Sequence, residues 1–298
     1  MSGDDSRFDR QALQRAFDGA AASYDQAAVL QREVGRRMLE RLDFIRLAPE
    51  RAVDLGAGTG EQTAALRQRF RKARVFALDL APGMLRRARD RGSWLRPLPV
   101  ICADAQALPL ADSSVDLLYS NAAFHWCNDL DALFKECQRV LRPGGLLMFT
   151  TFGPDTLREL RESWSDADGY RHVNRFADMH DIGDALVSAW FADPVMDMEY
   201  FNLTYATPAD VMRDLRALGS QTVQGGRPRG LTGRGRWQQM ATAYARYADA
   251  DGRLPATCEV VYGHAWATSM VPQRQTDGGA ATFSLDAFRS RRNQDGSP

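Results

Sequence analysis

The segment Val53-Asp54-Leu55-Gly56-Ala57-Gly58-Thr59-Gly60 predicts an apolar strand that ends in a glycine-rich turn. The amphipathic run after it predicts a helix, and glycines let the backbone of such a turn pass close to a ligand. The dinucleotide-binding pattern G-x-G-x-x-G requires a third glycine where this chain has Glu61. Glu61 and Asp54 make the turn acidic, so a cationic or zwitterionic nucleoside fits it better than a polyanionic one.

The pattern of a strand followed by a helix recurs along the chain. The segments ARVFALDL, LPVICAD, SVDLLYS and GGLLMFTTF predict four further strands, and runs with helical apolar spacing separate most of them. Strands that alternate with helices at this spacing are typical of a parallel, doubly wound sheet. After residue 153 the pattern weakens, although PVMDMEYFNLTYA and CEVVYGHAWAT predict two more strands. We therefore expect an α/β fold.

The composition excludes several classes of protein. Lys and Arg total 38, as do Asp and Glu, so the 298 residues lack the basic excess of a typical nucleic-acid binder. The four cysteines form no CxxC pair and the four histidines are scattered, so no metal site is expected. The polar N-terminus is unlike a secretory signal, and no apolar run reaches the ~18 residues of a membrane span. We expect a cytoplasmic protein that binds neither nucleic acid nor membrane.

Carboxylates follow two of the predicted strands. Asp79 ends the second strand, where a carboxylate can bind both hydroxyls of a ribose. Asp104 ends the third strand, where a carboxylate can accept from an adenine amino group. Because ligands of doubly wound sheets bind beyond the carboxyl ends of the strands, both residues are expected beside the glycine turn.

The motifs VDLGAGTG, ALD, CADAQALP and LRPGG resemble those of the class I S-adenosylmethionine-dependent methyltransferases over about residues 50–152. The resemblance implies a Rossmann-like sheet of seven strands, mostly parallel with one antiparallel strand, and a helical cap. It also implies S-adenosyl-L-methionine as the cofactor. The residues expected to bind it are Asp54, Gly56, Gly58, Gly60, Asp79, Leu80, Met84, Asp104, Ala105, Asn121 and Gln31.

A narrower resemblance extends from Phe17 to about Thr268. The segments AFDGAAASYDQAAVLQREVGRRML, YRHVNRFADMHDIGDAL and LTGRGRWQQM resemble the malonyl-acyl-carrier-protein O-methyltransferases of biotin synthesis. That family implies methylation of the free carboxylate of a malonyl thioester, which lets fatty-acid elongation enzymes accept it as a primer. The implied partner is malonyl-acyl carrier protein, with malonyl-coenzyme A as the alternative. Family members commonly have Gln where this chain has His125, so His125 is not expected to be an indispensable base.

Methylation of a carboxylate needs no general base, because the ionised group already carries a nucleophilic lone pair. The site has to strip water from it and aim one oxygen, and a buried carboxylate needs a cation or several donors. Arg175 is the expected cation, since a guanidinium can hold a carboxylate at two points. His172 and Asn174 are expected in the same pocket, and Tyr24 is expected to border the methyl group or donate to the carboxylate. The alternatives are a turn with surface charges and a packed tyrosine.

Aromatic residues and arginines are expected to contact the larger end of the substrate. Trp126 and Phe152 are predicted to line the substrate channel, and an ordinary place in the core is their alternative. An acyl carrier protein presents an acidic helix, so a cluster of cations is expected to dock it. The cluster consists of Arg227, Arg229, Arg234 and Arg236. A solvated surface is the alternative for this cluster.

The sequence predicts five segments and leaves two other functions open. The segments are N-terminal helices that close over the cofactor (1–47), the cofactor-binding core (48–206), a helical cap insert (207–256), the final core strand (257–270) and a flexible tail (271–298). One alternative function is a methyltransferase that acts on a free small acid or a quinone-type metabolite. The other is a non-catalytic module that binds S-adenosylmethionine.

Overall fold

The computed structural model describes residues 7–220 and 232–269. The helices in these ranges are α1 (Arg10–Ala20), α2 (Tyr24–Ala27), α3 (Val29–Arg41), α4 (Glu61–Arg69), α5 (Pro82–Asp90), α6 (Leu130–Val140), α7 (Arg158–Ser165), α8 (Met179–Ser188), α9 (Pro208–Ala217) and α10 (Arg234–Tyr244). The strands are β1 (Arg51–Leu55), β2 (Arg74–Asp79), β3 (Val100–Cys102), β4 (Val115–Ser120), β5 (Leu141–Phe152), β6 (Phe191–Tyr205) and β7 (Leu254–Ala267). Within these two ranges, every helix is too short or too polar to cross a membrane.

The seven strands form one sheet in the order β3-β2-β1-β4-β5-β7-β6. Strands β1 to β5 are parallel, and β7 runs antiparallel to both β5 and β6. The expected fold class, with one antiparallel strand, is confirmed. The strand order reverses between β1 and β4, so a crevice opens beyond the carboxyl ends of these strands. In doubly wound sheets such a crevice is where ligands bind.

The last strand begins earlier than the sequence pattern predicts. β7 starts at Leu254 instead of residue 257, because its ladder with β6 continues to the pair of Tyr205 and Leu254. It ends at Ala267 instead of residue 270. Pro255 lacks an amide proton, and a proline usually indicates that a strand is interrupted. The sequence pattern therefore places the start of β7 after Pro255. The segment 271–298 lies outside the described residues.

Both faces of the central strands β1, β4 and β5 are mostly buried, as is typical of parallel strands covered by helices. Successive residues of β4 face opposite sides. Leu118 packs in one apolar cluster with Phe134 of α6. Leu117 and Tyr119 pack in another cluster with Val34 of α3. The sheet is thereby fixed between two helical layers, and its carboxyl edge is left to form a site.

Three helices form a cap with an apolar core of its own. Trp164 of α7, Val211 of α9 and Met240 of α10 are buried in the same cluster. Leu254, the first residue of β7, belongs to that cluster too and joins the cap to the sheet. A capping box at Thr207 satisfies backbone N–H groups at the start of α9. The cap therefore has a fixed position beside the crevice.

Polar contacts hold α1 over the carboxyl ends of the strands. Asp18 Oδ1 accepts a hydrogen bond from the backbone N–H of Gly83, in the first turn of α5, at 2.5 Å. Gln14 Nε2 donates to the carbonyl oxygen of Leu80 at 3.1 Å. The backbone groups of Leu80 and Gly83 that α1 contacts both lie just after β2, so α1 covers the crevice at that point.

Candidate active site

The crevice holds a cavity, called cavity 1, between the strand ends and α1. Leu13, Gln14 and Phe17 contribute to its lining from α1. Sequence reasoning missed these residues, because the spacing of Leu13 and Phe17 predicts a helix but not the surface that the helix covers. The expected site residues that line cavity 1 are Tyr24, Gln31, Gly56, Gly58, Asp79, Leu80, Met84, Asp104, Ala105, Asn121, Trp126 and Phe152.

The three glycines of the turn have different roles. Gly56, Gly58 and Gly60 all have positive φ angles, which a side chain would strain. At Gly56 a Cβ atom would also collide with Ala123 beside cavity 1. Gly60 lines no part of cavity 1, and a Cβ atom there would lie 2.8 Å from Cβ of Ala88 in α5. Gly60 allows α5 to pack against the start of α4, and its expected contact with the cofactor stays a prediction.

Asp79 faces cavity 1 and is held by backbone N–H groups. Its Oδ2 accepts from Gly58 and its Oδ1 accepts from Ala81, each at 2.8 Å. Burial raises the pKa of Asp79, although these hydrogen bonds oppose that effect. The carboxylate expected to bind ribose hydroxyls also orders the glycine turn.

Asp54 lies beside cavity 1 instead of on it. Its buried carboxylate accepts a hydrogen bond from Thr63 Oγ1 at 2.6 Å. It lines a smaller recess that adjoins cavity 1 at Tyr24, Gln31 and Gly58. Burial raises the pKa of Asp54 to about 7. Asp54 sits inside β1 and not in the turn after it, and its expected contact with the cofactor stays a prediction.

Asp104 has a partner that the sequence pattern did not predict. Arg10 of α1 forms an ion pair with it. Arg10 Nη2 also donates to Gln106 Oε1 at 2.7 Å. The carboxylate expected to accept from an adenine amino group is therefore tied to the helix that covers the cavity.

The charges around cavity 1 suit a positively charged ligand. Burial raises the pKa of Tyr24, and the negative charges of Asp79, Asp25 and Glu61 raise it further. Arg10 is the one cation among the described lining residues, and it is ion-paired. The acidic residues and the glycine-rich turn fit S-adenosylmethionine, which carries a sulfonium charge.

A second cavity, called cavity 2, lies between the sheet and the cap. His172 and Asn174 line it, as the sequence analysis expects for the acceptor pocket. The residues that line both cavities are Gln31, His125, Trp126, Phe152 and Ser220. Two ligands bound in the two cavities would meet at this junction.

Known proteins resemble the chain along most of its length. Residues 53–149 match the family model described as a methyltransferase domain. The malonyl-[acyl-carrier protein] O-methyltransferase of Halorhodospira halophila is 50% identical over 291 residues, which cover 97% of this chain and 99% of the relative. That of Laribacter hongkongensis is 52% identical over 279 residues, which cover 91% of this chain and 94% of the relative. The chain belongs to this family.

Solved structures with the same fold are more distant in sequence. The YcgJ protein of Bacillus subtilis superposes with a TM-score of 0.56 at 14% identity, over 78% of this chain and 98% of that chain. Phosphoethanolamine N-methyltransferase 2 of Haemonchus contortus, in complex with S-adenosyl-L-methionine, gives a TM-score of 0.52 at 18% identity, over 85% of this chain and 57% of that chain. As a member of the malonyl-[acyl-carrier protein] O-methyltransferase family, the chain is a class I methyltransferase whose cofactor is S-adenosylmethionine.

In this family member, Arg175 does not lie with His172 and Asn174. Arg175 is exposed and lines a third cavity, called cavity 3, which shares only His125 and Phe176 with cavity 2. Arg175 therefore lines a different cavity from His172 and Asn174, and its contact with the acceptor carboxylate stays a prediction. The segment around Arg175 is neither helix nor strand, so the spacing of its residues cannot show which cavity each one reaches.

The other two residues of that segment differ in their surroundings. The imidazole of His172 stacks on Trp164 with ring centroids 3.8 Å apart, and its Nε2 lies 2.9 Å from Oδ1 of Asp168. Asn174 is buried, and its Oδ1 has no hydrogen-bond partner among the described residues. His172 is therefore a packed part of the cap wall, while Asn174 keeps an unpaired amide oxygen beside cavity 2.

The arginine cluster expected to dock the carrier is only partly described. Arg227 and Arg229 lie outside the described residues. Arg234 begins α10, and the guanidinium carbon of Arg236 lies 5.6 Å from the centre of the Tyr170 ring. Neither Arg234 nor Arg236 lines cavity 1 or cavity 2.

Cavity 2 is also lined by two arginines that are not among the predicted site residues. They are Arg171 and Arg216, and Arg216 is exposed in the last turn of α9. Arginine is abundant throughout the chain. No local signal distinguishes these two from the arginines that only face solvent.

Proposed function

We propose that this chain transfers the methyl group of S-adenosylmethionine to the free carboxylate of malonyl-acyl carrier protein, giving the ester that primes biotin synthesis. The observation that carries the proposal is the junction of cavities 1 and 2 at Gln31, His125 and Trp126. A donor in one cavity and a thioester in the other would have their reacting groups in contact there. Relatives at 50% and 52% identity are named for this reaction, which supports the substrate.

The residues of cavity 1 would hold the methyl donor. When bound, S-adenosylmethionine supplies an electrophilic methyl group on a positively charged sulfur. Asp79 would accept hydrogen bonds from the ribose, and Asp104 would accept from the adenine amino group. Met84 and Leu80 would form the apolar walls of the nucleoside site. Tyr24, whose ring lies over Gly58, would cover the methionine portion.

The residues at the junction would desolvate and orient the acceptor. A carboxylate has no proton to lose before it accepts a methyl group, so this chain needs no general base. The rate would then depend on position and on exclusion of water. α1 and the cap would provide that exclusion, since residues of α1 line cavity 1 and residues of the cap line cavity 2.

Cavity 2 would receive the arm that joins the malonyl group to its carrier. Leu160, Val211 and Leu215 give it an apolar wall, which suits the arm of a thioester. Arg171 and the exposed Arg216 add positive charge to the lining. A guanidinium binds a phosphate at two points, and carriers attach the arm through a phosphate. We therefore propose Arg216 as a contact for the carrier end of the arm.

We further propose that the described part of the segment 1–47, residues 7–47, covers the donor site and that the part of the cap between β6 and β7 selects the acceptor. The order of elements supports this division, because α9 and α10 lie between the last two strands of the sheet. We also propose that the protein acts in the cytoplasm, where its four free cysteines would stay reduced.

Transfer of labelled methyl groups tests the proposed function. The protein is incubated with labelled S-adenosylmethionine and, in separate reactions, with malonyl-carrier, malonyl-coenzyme A, acetyl-carrier or free malonate. Label on malonyl-carrier but not on acetyl-carrier is the expected result. Label on free malonate alone would indicate a small-acid methyltransferase. Cofactor binding without transfer to any acceptor would indicate a non-catalytic module.

A further inference from the structure

The junction of cavities 1 and 2 contains uncharged donors and no described cation. Four of the residues that line both cavities carry a side-chain N–H or O–H group: Gln31, His125, Trp126 and Ser220. None of the described residues in that set is a lysine or an arginine. A carboxylate placed at the junction therefore meets neutral polar groups first.

Two of these side chains each have a buried polar atom that lacks a hydrogen-bond partner within the described ranges. Gln31 Oε1 and His125 Nδ1 are both buried and have no partner there. The backbone of Gln31 is fixed, since its carbonyl oxygen accepts from Asn121 Nδ2 at 2.8 Å. Buried polar groups without partners are destabilising, and native proteins keep few of them. A ligand that bonds to both side chains would explain why they are here.

His125 is held in place by aromatic rings and is uncharged. Its ring centroid lies 4.6 Å from that of Phe152, 5.0 Å from that of Trp126 and 5.6 Å from that of Phe176. Burial lowers the pKa of His125 to about 3. A neutral imidazole has one N–H donor, and the three rings leave it little freedom to turn away from the junction.

We infer that Gln31 and His125 hold the methyl-accepting carboxylate through uncharged N–H donors, in place of a guanidinium clamp. This inference rests on the proposed function. A half-turn about the last torsion of Gln31 exchanges Oε1 and Nε2, so its amide can present N–H to a carboxylate. Arg175 lines cavity 3 and Arg171 lines cavity 2 alone, so neither is among the residues where the two ligands would meet.

The change of charge during methyl transfer favours uncharged donors. The negative charge of the carboxylate and the positive charge of the donor both decrease as the methyl group moves. A guanidinium would stabilise the fully charged carboxylate more than the partly neutral transition state, and this would slow the reaction. Neutral donors also form hydrogen bonds to the buried carboxylate. They stabilise the charged reactant over the transition state less than a guanidinium would.

Binding of carriers to the protein saturated with S-adenosylhomocysteine tests the inference without turnover. Gln31→Met and His125→Phe remove the donors while filling the space. Each should weaken malonyl-carrier binding by about tenfold or more, with acetyl-carrier binding changed by about twofold at most. His125→Gln restores an uncharged donor and should recover most of that loss. Calorimetry measures the affinities, and thermal unfolding checks that each variant is folded.

Gln31→Glu gives a second variant in case Gln31→Met does not fold. With this variant saturated with S-adenosylhomocysteine, its negative charge should exclude malonyl-carrier more strongly than acetyl-carrier. Equal losses for the two carriers, or unchanged malonyl-carrier binding, would overturn the inference. Loss of malonyl selectivity in Arg175→Ala or Arg171→Ala would overturn it too. A wild-type protein that binds both carriers equally would instead contradict the proposed function, so the two failures can be told apart.

Discussion

Arg91 and Asp25 form an ion pair of 2.6 Å that joins the end of α5 to the short helix α2. Arg91 Nε also donates to the carbonyl oxygen of Thr59 at 2.7 Å, and Thr59 Oγ1 donates to Asp25 at 2.5 Å. The three residues connect the glycine turn to the segment that carries Tyr24. The ion pair is partly exposed, so we expect it to add about 1 kcal/mol or less to stability. Its larger effect is to hold Tyr24 over Gly58.

Replacing Arg91 should loosen this segment without unfolding the protein. Arg91→Gln is expected to speed amide exchange in residues 24–27 and to weaken S-adenosylmethionine binding by roughly fivefold. Hydrogen exchange and calorimetry measure the two effects. Arg87→Gln, on the exposed face of α5, is the matched control and should change neither. Unchanged exchange in Arg91→Gln would show that the segment is held by other contacts.

Asp79 should prove necessary for both binding and local order, because it faces cavity 1 and accepts from two backbone N–H groups. Asp79→Ala is expected to weaken cofactor binding by about a hundredfold and to lower the melting temperature as well. Asp79→Asn keeps one oxygen acceptor and should lower the melting temperature less. Calorimetry and thermal unfolding separate the two effects. Normal cofactor affinity in a folded Asp79→Asn would remove Asp79 from the site.

Asp54 should make stability fall as the pH rises. Burial raises its pKa from 3.8 to about 7, so between these values the folded state binds more protons than the unfolded state. The free energy of unfolding therefore decreases across that window, by roughly 4 kcal/mol at most from this group. Asp54→Asn removes the titration. Its free energy of unfolding, relative to the wild type, should rise between about pH 4 and about pH 7 in urea titrations. A constant difference across the window would contradict this prediction.

A comparison of alanine substitutions at Gly60 and Gly144 distinguishes the cost of backbone strain from the cost of steric collision. Their φ angles are +80° and +78°, so alanine is strained at both positions. A Cβ atom at Gly60 would lie 2.8 Å from Ala88, whereas nothing lies within 4 Å of one at Gly144. Gly60→Ala should therefore cost about 1–3 kcal/mol more stability than Gly144→Ala. Urea unfolding of both variants checks this, and equal losses would mean that α5 shifts at no cost.

Arg216 should contribute to carrier binding more than its neighbour Arg213. Arg216 lines cavity 2, while Arg213 is exposed and pairs with Asp210 at 2.6 Å. Arg216→Ser is expected to raise the KM for malonyl-carrier about fivefold with kcat nearly unchanged, because it removes uniform binding. Arg213→Ser is the control. If KM instead rises for variants of Arg234 and Arg236 but not for Arg216→Ser, the result would support docking of the carrier on α10.

Sequence patterns are enough to predict the strands β1 to β5 and the glycine turn after β1. Apolar runs, helical spacing and glycines with positive φ are local properties, and each reports the conformation of its own segment. For the same reason Asp79 and Asp104 could be located at strand ends, since the carboxyl ends of parallel strands share one edge. The start of β7 could not be located, because Leu254 is in the strand only through its pairing with Tyr205.

Which residues line which cavity depends on the tertiary structure and cannot be predicted from local patterns. Arg175 and Asn174 are adjacent in the sequence but line different cavities, and Gln31 and His125 come together from distant segments. Arg10 and Phe17 line cavity 1 because α1 packs across the strand ends. These positions depend on how helices far apart in the chain pack against the sheet. Burial exists only after that packing has occurred. The lowered pKa of His125 and the absence of a described hydrogen-bond partner for Gln31 Oε1 both follow from it.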